Sequence, residues 1–453
     1  MRALRTLLSV AAVGACALAG LPASAPAASA ASAPAASAAS APAASAAESV
    51  VGMYYPLAPE RLMDTRSGLG GRTGPLRARE VVDLRVAGRG GVPASGVGSV
   101  VLNVTVTGPT ANSYLTLYPG GQARPTASSI NFAPGWLGSN NVTVKLAADG
   151  RVAIYHHDGS TQVVVDVVGF YAGSDTVQGS HGRGGQYQRV TPTRLVDTRQ
   201  ERGAIEENTR INRWVDLGPS SPRVRALVLN ITAVAPAESG FLSAWAGDSP
   251  VPTSSTVNYG AGKVVPNLAY VRTATCHDCG PWYGVPIFSV YTLRSTNIVV
   301  DLVGVIDDGS LAGGLRFTPL SPTRIVDSRS NLGTSGALGT NVTRRVVTPP
   351  ALVTAATQVL ALNVTAVAPS LNTVVTVWPA DAGLAKPTAS NLNPAAGQIV
   401  SNAVLSGIGP QDAFQVHNLA GSTHLVADVV GTFQLPAGAS PAEPMRVIAT
   451  GGY

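Results

Sequence analysis

Three short phrases occur three times along this chain, in the same order and at nearly the same spacing. The first is Arg-Leu-x-Asp-Thr-Arg or a close variant, the second Leu-Asn-Val-Thr and the third Asp-Val-Val-Gly. They begin at Arg61, Arg194 and Arg324, at Leu102, Leu229 and Leu362, and at Asp166, Asp301 and Asp428. Successive first phrases lie 133 and 130 residues apart. This period is too long for a solenoid repeat and is typical of a small domain, so the sequence predicts tandem modules.

Each copy has the pattern of an all-β module. Apolar runs rich in Val are interrupted by Gly, Pro, Asn, Asp or Ser every ~8 to 12 residues, and no segment keeps a helical period. The sequence therefore predicts three tandem β-sandwiches, jelly-roll-like and about 120 residues each, with independent cores. We place these modules at 51–173, 186–308 and 315–434, followed by a flexible tail at 435–453.

The residues before the first copy are typical of an exported protein. Two Arg residues precede an apolar stretch, and small residues suited to cleavage follow it. We therefore expect a signal peptide over 1–30 and a secreted or cell-surface location. An Ala/Pro/Ser-rich tether is expected over 31–50, because such a composition buries too little apolar surface to fold.

The charged residues of the first and third phrases are expected to pair. Asp166 lies in a run that is apolar on both faces, where an unpaired carboxylate is costly. Either Arg61 or Arg66 is the expected partner, since a bidentate Arg–carboxylate pair suits a half-buried site. Asp64 is expected to bridge to the Arg two residues on. The counterparts are Arg194, Asp197, Arg199 and Asp301 in copy two, and Arg324, Asp327, Arg329 and Asp428 in copy three.

Recurring Asn and aromatic residues allow two interpretations. Asn is unfavourable in strands unless its amide is used, so these side chains are expected to bond to backbone at bulges or strand ends. The alternative is a polar groove for sugar hydroxyls, lined by Asn and by aromatic rings at matching strand ends. The candidate ligand-binding residues are Tyr118, Trp245, Trp378, Asn131, Asn258 and Asn393. Two further Asn sets recur, at 103, 230 and 363 and at 140, 267 and 402.

The cysteines indicate a structural role. Cys276 and Cys279 lie in an insertion confined to copy two, and an oxidised loop suits an exported protein. A zinc site would need more ligands than His277 supplies, and the thioredoxin context is missing. Cys16 lies in a sequence that loosely resembles a lipoprotein cleavage box, so its lipidation stays open.

The combination of Arg-Leu-x-Asp-Thr-Arg, Leu-Asn-Val-Thr, Pro-Thr-Ala-Ser-x-x-Asn and Asp-Val-Val-Gly-Phe resembles repeat modules of exported actinobacterial proteins. The Pro-Thr-Ala-Ser phrase begins at Pro125, Pro252 and Pro387, and the resemblance covers about residues 54 to 434. It implies a non-catalytic extracellular module without a defined ligand. Copy two departs from the pattern through its cysteine-containing insertion.

Composition limits the partners. The formal net charge is +6, the Arg residues are scattered and aromatic residues make up 5%, whereas a nucleic-acid surface needs clustered cations and stacking rings. We expect no nucleic-acid partner, no cofactor, no metal and no transmembrane span after signal removal. Calcium held by recurring Asp and Asn residues is an alternative, but no Asp-rich loop with ligand spacing is visible.

No catalytic motif stands out. The sequence contains no Gly-x-Ser-x-Gly or His-Glu-x-x-His, and none of its six His residues recurs in all three copies. We expect a non-enzymatic extracellular binding protein whose partner is a cell-wall glycan, another polysaccharide or an exported protein, held by several weak sites. A purely structural spacer is the alternative, and a secreted hydrolase is less favoured.

Overall fold

The computed structural model describes residues 48–381 and 383–452. The expected signal peptide, Cys16 and all but the last residues of the expected tether lie outside these ranges. Helices in the described part of the chain have at most six residues, and none is long and apolar enough to cross a membrane. They are α1 (Gln178–His181), α2 (Thr198–Glu201) and the 3-10 turns Asp175–Val177, Gly218–Arg223, Gly280–Trp282, Pro350–Leu352 and Pro410–Asp412.

Module one is a two-layer β-sandwich. Its strands are β1 (Tyr54–Asp64), β2 (Leu76–Arg77), β3 (Val81–Arg85), β4 (Val97–Thr107), β5 (Ser113–Pro119), β6 (Ile130–Phe132), β7 (Gly138–Lys145), β8 (Arg151–His156) and β9 (Ser160–Ala172). The first sheet has the order β1-β9-β4-β7 and the second β3-β8-β5-β6, while β2 pairs with β9. Without β2, the strand orders are 1-8-3-6 and 2-7-4-5, which confirms the jelly-roll prediction.

Module two repeats this arrangement. Its strands are β10 (Tyr187–Gln188), β11 (Thr193–Asp197), β12 (Thr209–Asp216), β13 (Ala226–Val234), β14 (Gly240–Trp245), β15 (Val257–Tyr259), β16 (Val264–Arg272), β17 (Ala274–Thr275), β18 (Pro286–Thr292) and β19 (Asn297–Ile306). The first sheet is β10-β19-β13-β16, with β11 also on β19, and the second contains β15-β14-β18-β12. The counterpart of β1 is thus split into β10 and β11.

The second sheet of module three has three strands, fewer than that of either other module. Its strands are β20 (Arg316–Asp327), β21 (Val342–Val347), β22 (Thr357–Val367), β23 (Val375–Pro379), β24 (Ile399–Gly407), β25 (Ala413–Asn418) and β26 (His424–Gln434). The first sheet is β20-β26-β22-β24 and the second β21-β25-β23. The counterpart of β6 is reduced to a single bridge between Leu392 and Val375.

The three repeated phrases lie side by side in the first sheet of each module. In module one, β9 runs between β1 and β4, so Asp166 is in register with Arg61 on one side and Asn103 on the other. The equivalent residues in register are Arg194, Asp301 and Asn230 in module two, and Arg324, Asp428 and Asn363 in module three. Because Val165 and Val167 point into the module core, alternation places Asp166 on the opposite face.

These outer faces pack against one another in the unit that begins at Ser49. An apolar cluster drawn from all three modules fills the space between them. Its aromatic members are Tyr54, Tyr171, Tyr187, Tyr270, Phe317 and Phe433. The Tyr171 ring stacks on Phe317 of module three with centroids 4.4 Å apart, and its hydroxyl donates to that of Tyr270 in module two at 3.2 Å. Each module has its own core, as expected, but the modules also share a fourth core.

Asparagine amides join each module to the next. Each Nδ2 of one recurring set donates to Oδ1 of the other set in a neighbouring module. The bonds are Asn267 to Asn103 at 2.8 Å, Asn402 to Asn230 at 3.1 Å and Asn140 to Asn363 at 3.0 Å. These pairs link module two to one, three to two and one to three, so they form a closed ring, which we call the asparagine ring.

The asparagine ring also uses backbone groups on both sides of each module boundary. Nδ2 of Asn103 donates to the carbonyl of Ser255 at 2.6 Å, and Oδ1 of Asn267 accepts the backbone N–H of Asn141 at 3.0 Å. Within its own module, Nδ2 of Asn267 donates to the carbonyl of Thr256 at 2.7 Å. The sequence predicts backbone partners for these amides, and the bonds to a neighbouring module are additional to that prediction. Bonds that cross the boundary satisfy amides that the ring buries.

The C-terminal segment is not the flexible tail that the sequence suggested. Residues Ala449–Gly452 form strand β27, which pairs with β12 at the edge of module two. Further upstream, the Met445 N–H donates to the Arg189 carbonyl at 2.8 Å. Gly451 lies against the Trp214 ring, where an added Cβ would sit 2.6 Å from it. The segment has no strand pattern of its own, and it is ordered because β12 offers unpaired backbone groups.

Candidate ligand-binding cleft

The repeated Arg and Asp residues form ion pairs in every module. Arg61 Nε lies 2.8 Å from Asp166 Oδ1 and its Nη2 lies 3.4 Å from Oδ2, so Arg61 is the partner of Asp166. Arg66 instead holds Asp64 through Nε at 2.8 Å and Nη2 at 2.7 Å. The equivalent distances are 2.9 Å for Arg194–Asp301, 2.9 Å for Arg324–Asp428, 2.6 Å for Arg199–Asp197 and 2.7 Å for Arg329–Asp327.

Burial and pairing move the two sets of carboxyl groups in opposite directions. Removal from water raises the pKa of Asp166 and of its counterparts Asp301 and Asp428, although an Arg side chain opposes the shift. The hydrogen bond from Arg66 holds the pKa of Asp64 below its usual value, and the same holds at Asp197 and Asp327. All six carboxylates are held by Arg side chains: three pairs join the first strand of a module to its last, and three are local pairs with the Arg two residues on.

The aromatic residues predicted to stack on sugar are buried. Tyr118, Trp245 and Trp378 are exposed by 6%, 3% and 5% respectively. Nε1 of Trp245 donates to the carbonyl of Ser249, in the loop that follows its strand, at 3.0 Å. Tyr118 packs with Tyr155 and Ala153 on the outer face of the second sheet. The prediction of a stacking platform at these positions is therefore wrong, because all three rings are buried and present no open face to a sugar.

Two of the three predicted Asn residues bond to a neighbouring module. Asn258 donates to Thr105 Oγ1 of module one at 3.1 Å, and Asn131 donates to Ser401 Oγ of module three at 3.0 Å. Asn393 accepts a bond from Ser390 Oγ at 3.0 Å within its own module. These amides do not form one groove, but Asn258 lines a cleft.

This cleft, of about 280 Å³, opens between modules one and two. Its polar lining comprises Arg61, Arg66, Thr105, Thr107, Ser239, Ser255 and Asn258, and its apolar lining includes Phe241, Leu137 and Leu293. Phe241 is partly exposed and is the second residue of β14. The volume is close to the lower end of the range for small-ligand sites, which is about 300 Å³.

The cleft holds two guanidinium groups without a net positive charge. Arg61 and Arg66 are each engaged by a carboxylate, Asp166 and Asp64. Arg61 Nη2 also donates to the carbonyl of Thr253 in module two at 3.3 Å, which ties the two walls together. What the cleft offers a ligand is therefore an aromatic ring, aliphatic side chains, hydroxyls and the Oδ1 of Asn258, whose Nδ2 already donates to Thr105 and Ser255.

The cleft is not repeated identically in the other copies. Phe241 pairs with Asn258 as Tyr114 pairs with Asn131 in module one, and Val374 precedes β23 at the matching place in module three. Sequence reasoning missed Phe241 because it searched for aromatic residues that recur in all three copies, and copy three has Val374 at this place. The strand period, which places Phe241 on the same face as Trp245, was the available signal.

The cysteines of module two form a disulfide between Cys276 and Cys279, whose Cα atoms lie 5.9 Å apart. Both are buried beneath the stacked rings of Trp214 and Trp282, whose centroids lie 4.5 Å apart. Within residues 48–381 and 383–452, no group of three His, Cys, Asp or Glu side chains is arranged to hold a metal ion.

Comparisons with known proteins give no family. No family model matches the sequence, and no curated protein matches it. Two solved structures align with this chain. They are described as "The Triple Jelly Roll Fold and Turret Assembly in an Archaeal Virus" and "Life in the extremes: atomic structure of Sulfolobus Turreted Icosahedral Virus". They cover 87% and 85% of this chain and 92% of their own chains, at 10% and 9% identity and a TM-score of 0.15 each. This TM-score is too low to support any argument, so the fold assignment rests on the strand order alone.

Proposed function

We propose that the chain is a non-catalytic, exported binding protein that holds a neutral polysaccharide in the cleft between modules one and two. The observation that carries the proposal is the partly exposed ring of Phe241 beside the amide of Asn258 and the hydroxyls of Ser239 and Ser255. A sugar ring presents C–H groups on its faces and hydroxyls at its edge. A cleft with both apolar and hydrogen-bonding walls suits such a ligand.

The charge balance of the cleft favours a neutral ligand. An anionic group would compete with Asp64 and Asp166 for Arg66 and Arg61, and each displaced carboxylate would be left buried without its partner. A neutral sugar can accept hydrogen bonds from the rims of these guanidinium groups without breaking either pair. The ligand class follows from this balance.

The non-catalytic part of the proposal is supported by the state of the carboxylates near the cleft. Hydrolysis of a glycosidic bond uses two carboxyl groups, of which one donates a proton and the other acts as base or nucleophile. Asp64 and Asp166 are instead both held by Arg side chains in bidentate geometry. These pairs repeat in all modules, including those without Phe241, so they serve the fold.

A structural scaffold is the second candidate function. The residues that recur in all copies form the ion pairs and the asparagine ring, and both contribute to holding the modules together. If the repeats served only to hold the three modules together, the recurring residues would be those of the ion pairs and the asparagine ring, as they are here. The two candidates differ in whether the cleft has a ligand.

A pelleting assay separates the two. Purified mature protein is incubated with insoluble bacterial cell wall, chitin or cellulose and centrifuged, and the protein in each fraction is measured. The binding proposal predicts depletion of the supernatant by at least one polymer, reversed by soluble fragments of that polymer. Protein that stays in the supernatant with every polymer would refute the binding proposal and leave the scaffold.

A further inference from the structure

Arg79, Arg124 and His157 of module one converge on a single tyrosine, Tyr155. The guanidinium carbon of Arg124 lies 3.6 Å from the centre of the Tyr155 ring. Arg79 donates from Nη1 to the Tyr155 hydroxyl at 3.4 Å, and His157 Nδ1 lies 3.4 Å from the same oxygen. Two cations and an imidazole therefore surround one ring on the outer face of the second sheet. We call this group the Tyr155 cluster.

The two Arg side chains of the Tyr155 cluster are not paired with a carboxylate in the described part of the chain. Within the described residues, neither Arg79 nor Arg124 forms an ion pair with a carboxylate, and both side chains are exposed. Three acidic residues lie nearby. Glu80 is held by Arg72 at 2.7 Å, Asp158 accepts the N–H of Gly159 at 2.8 Å, and Asp83 lies opposite Ala153 on the same outer face of the sheet. Neither Asp83 nor Asp158 forms an ion pair with Arg79 or Arg124 in the described structure. This contrasts with the cleft, where each guanidinium has its carboxylate.

The backbone holds Arg79 in an unfavourable conformation. Its φ is +64°, in the left-handed region that residues other than Gly, Asn and Asp seldom adopt. Its N–H donates to the His157 carbonyl at 3.3 Å, which fixes this turn against the end of β8. The turn places the Arg79 guanidinium beside Tyr155. The left-handed backbone costs conformational free energy that Gly at this position would avoid.

An aromatic surface adjoins the cations. The rings of Tyr114 and His157 stack with centroids 4.5 Å apart and planes 15° apart. Both side chains are partly exposed. A ligand that has both a ring with C–H groups and an anionic group can therefore contact the stack and the guanidinium groups together.

The Tyr155 cluster is specific to module one. In module two the corresponding Tyr291 donates its hydroxyl to Asn208 Oδ1 at 2.9 Å, and in module three His417 occupies this register position. Neither site has a guanidinium over the equivalent ring, since Arg210 of module two lies over Trp245, at 5.9 Å. The fold alone does not require the cluster.

We propose that the Tyr155 cluster is a second binding site, which takes the carboxylate groups of an acidic polysaccharide. Guanidinium groups bind carboxylates with two parallel hydrogen bonds, and the neighbouring stack provides a surface for the sugar ring. A single-stranded nucleic acid would need a longer basic groove with several stacking rings, and this site has one stacked pair. The site is separate from the cleft and does not depend on Phe241.

Binding to soluble polygalacturonate, with neutral dextran as the comparison, tests the proposal on the mature protein. We expect the double variant Arg79→Gln/Arg124→Gln to bind polygalacturonate at least about tenfold more weakly, a change of about 1.4 kcal/mol. The matched control is Arg344→Gln/Arg345→Gln, which removes the same charge from exposed residues of β21. The control should bind like the unchanged protein, and both variants should keep its unfolding temperature, since all four side chains are exposed.

Three results would overturn the proposal. The first is no binding of polygalacturonate beyond that of dextran, and the second is an equal loss in both double variants, which would indicate diffuse charge attraction. The third is binding of a single-stranded oligonucleotide with equal affinity and the same dependence on Arg79 and Arg124. If either double variant fails to fold, the single variants Arg124→Gln and Arg344→Gln make the same comparison. The cleft is tested separately, because its proposed ligand is neutral.

Discussion

Asn267 of module two donates a hydrogen bond from Nδ2 to Oδ1 of Asn103 in module one at 2.8 Å, and both side chains are buried. Nδ2 of Asn267 also donates to the carbonyl of Thr256 at 2.7 Å, while its Oδ1 accepts the N–H of Asn141. One amide thus satisfies three groups at a boundary that excludes water. Because the other two boundaries have equivalent bonds, the modules depend on one another for polar groups that a lone jelly roll would leave unpaired.

Replacing Asn267 by Ala should lower the free energy of unfolding by about 2 kcal/mol or more, because it leaves buried partners on both sides of the boundary without a bond. Chemical denaturation followed by circular dichroism measures the change. Asn112→Ala, at an exposed position, is the control and should be neutral. Equal stability of the two variants would contradict a role for the asparagine ring in holding the modules together.

The two Arg residues of the first phrase should differ in their importance for stability. Arg61→Ala leaves the fully buried carboxylate of Asp166 unpaired and should cost about 3 kcal/mol. Arg66→Ala should lower the free energy of unfolding by about 1 kcal/mol or less, because the Arg66 side chain is 52% exposed. Denaturation curves of the two variants provide the comparison, and a larger loss from Arg66→Ala would reverse the assignment.

The contribution of Arg66 should depend on pH in a defined direction. The Arg66 hydrogen bond lowers the pKa of Asp64 in the folded protein relative to the unfolded chain, where an Asp titrates near about 3.9. The stability that this pair supplies is therefore present above about pH 4 and is lost as pH falls through the lowered folded pKa.

The difference in unfolding free energy between the unchanged protein and Arg66→Ala should consequently be largest near neutral pH and shrink towards pH 2. The raised pKa of Asp166 has the opposite effect on stability, but it is present in both proteins and largely cancels from the difference. A difference that stays constant or grows on acidification would show that Arg66 does not act through the Asp64 carboxylate.

Sequence reasoning predicts the modules well because their signals are local. Strand periodicity and turn residues give the sandwich, and the apolar run around Asp166 predicts an ion pair with the first strand. That run also contained the signal for the shared core, since a strand that is apolar on both faces must be covered twice. The cover is supplied by the other modules, and the spacing of phrases along the chain does not reveal this association.

The candidate site was harder to predict for a physical reason. Phe241 lines a cleft only together with Arg61 and Arg66, which belong to another module. Trp245 and Trp378 recur at strand ends, but recurrence reflects a shared packing role here. Only the fold distinguishes a ring that covers a loop from one that faces solvent.

Trp245→Ala should therefore behave as a core substitution. Removing the buried indole and its bond to Ser249 should cost about 3 kcal/mol or more. Phe241→Ala removes a partly exposed ring from the same strand and should cost less. Thermal unfolding of both variants checks this order, and a Trp245→Ala protein as stable as the unchanged one would return Trp245 to the list of candidate ligand contacts.

The central claim, that the cleft between modules one and two binds a neutral polysaccharide, is tested most directly by titrating a soluble fragment of the pelleted polymer into two variants. Phe241→Ala removes the cleft ring, and Val374→Ala makes a matched change at the equivalent place in module three. The account predicts that Phe241→Ala weakens binding about tenfold or more, about 1.4 kcal/mol, while Val374→Ala binds as tightly as the unchanged protein. Unchanged affinity in Phe241→Ala, with both variants folded, would contradict it.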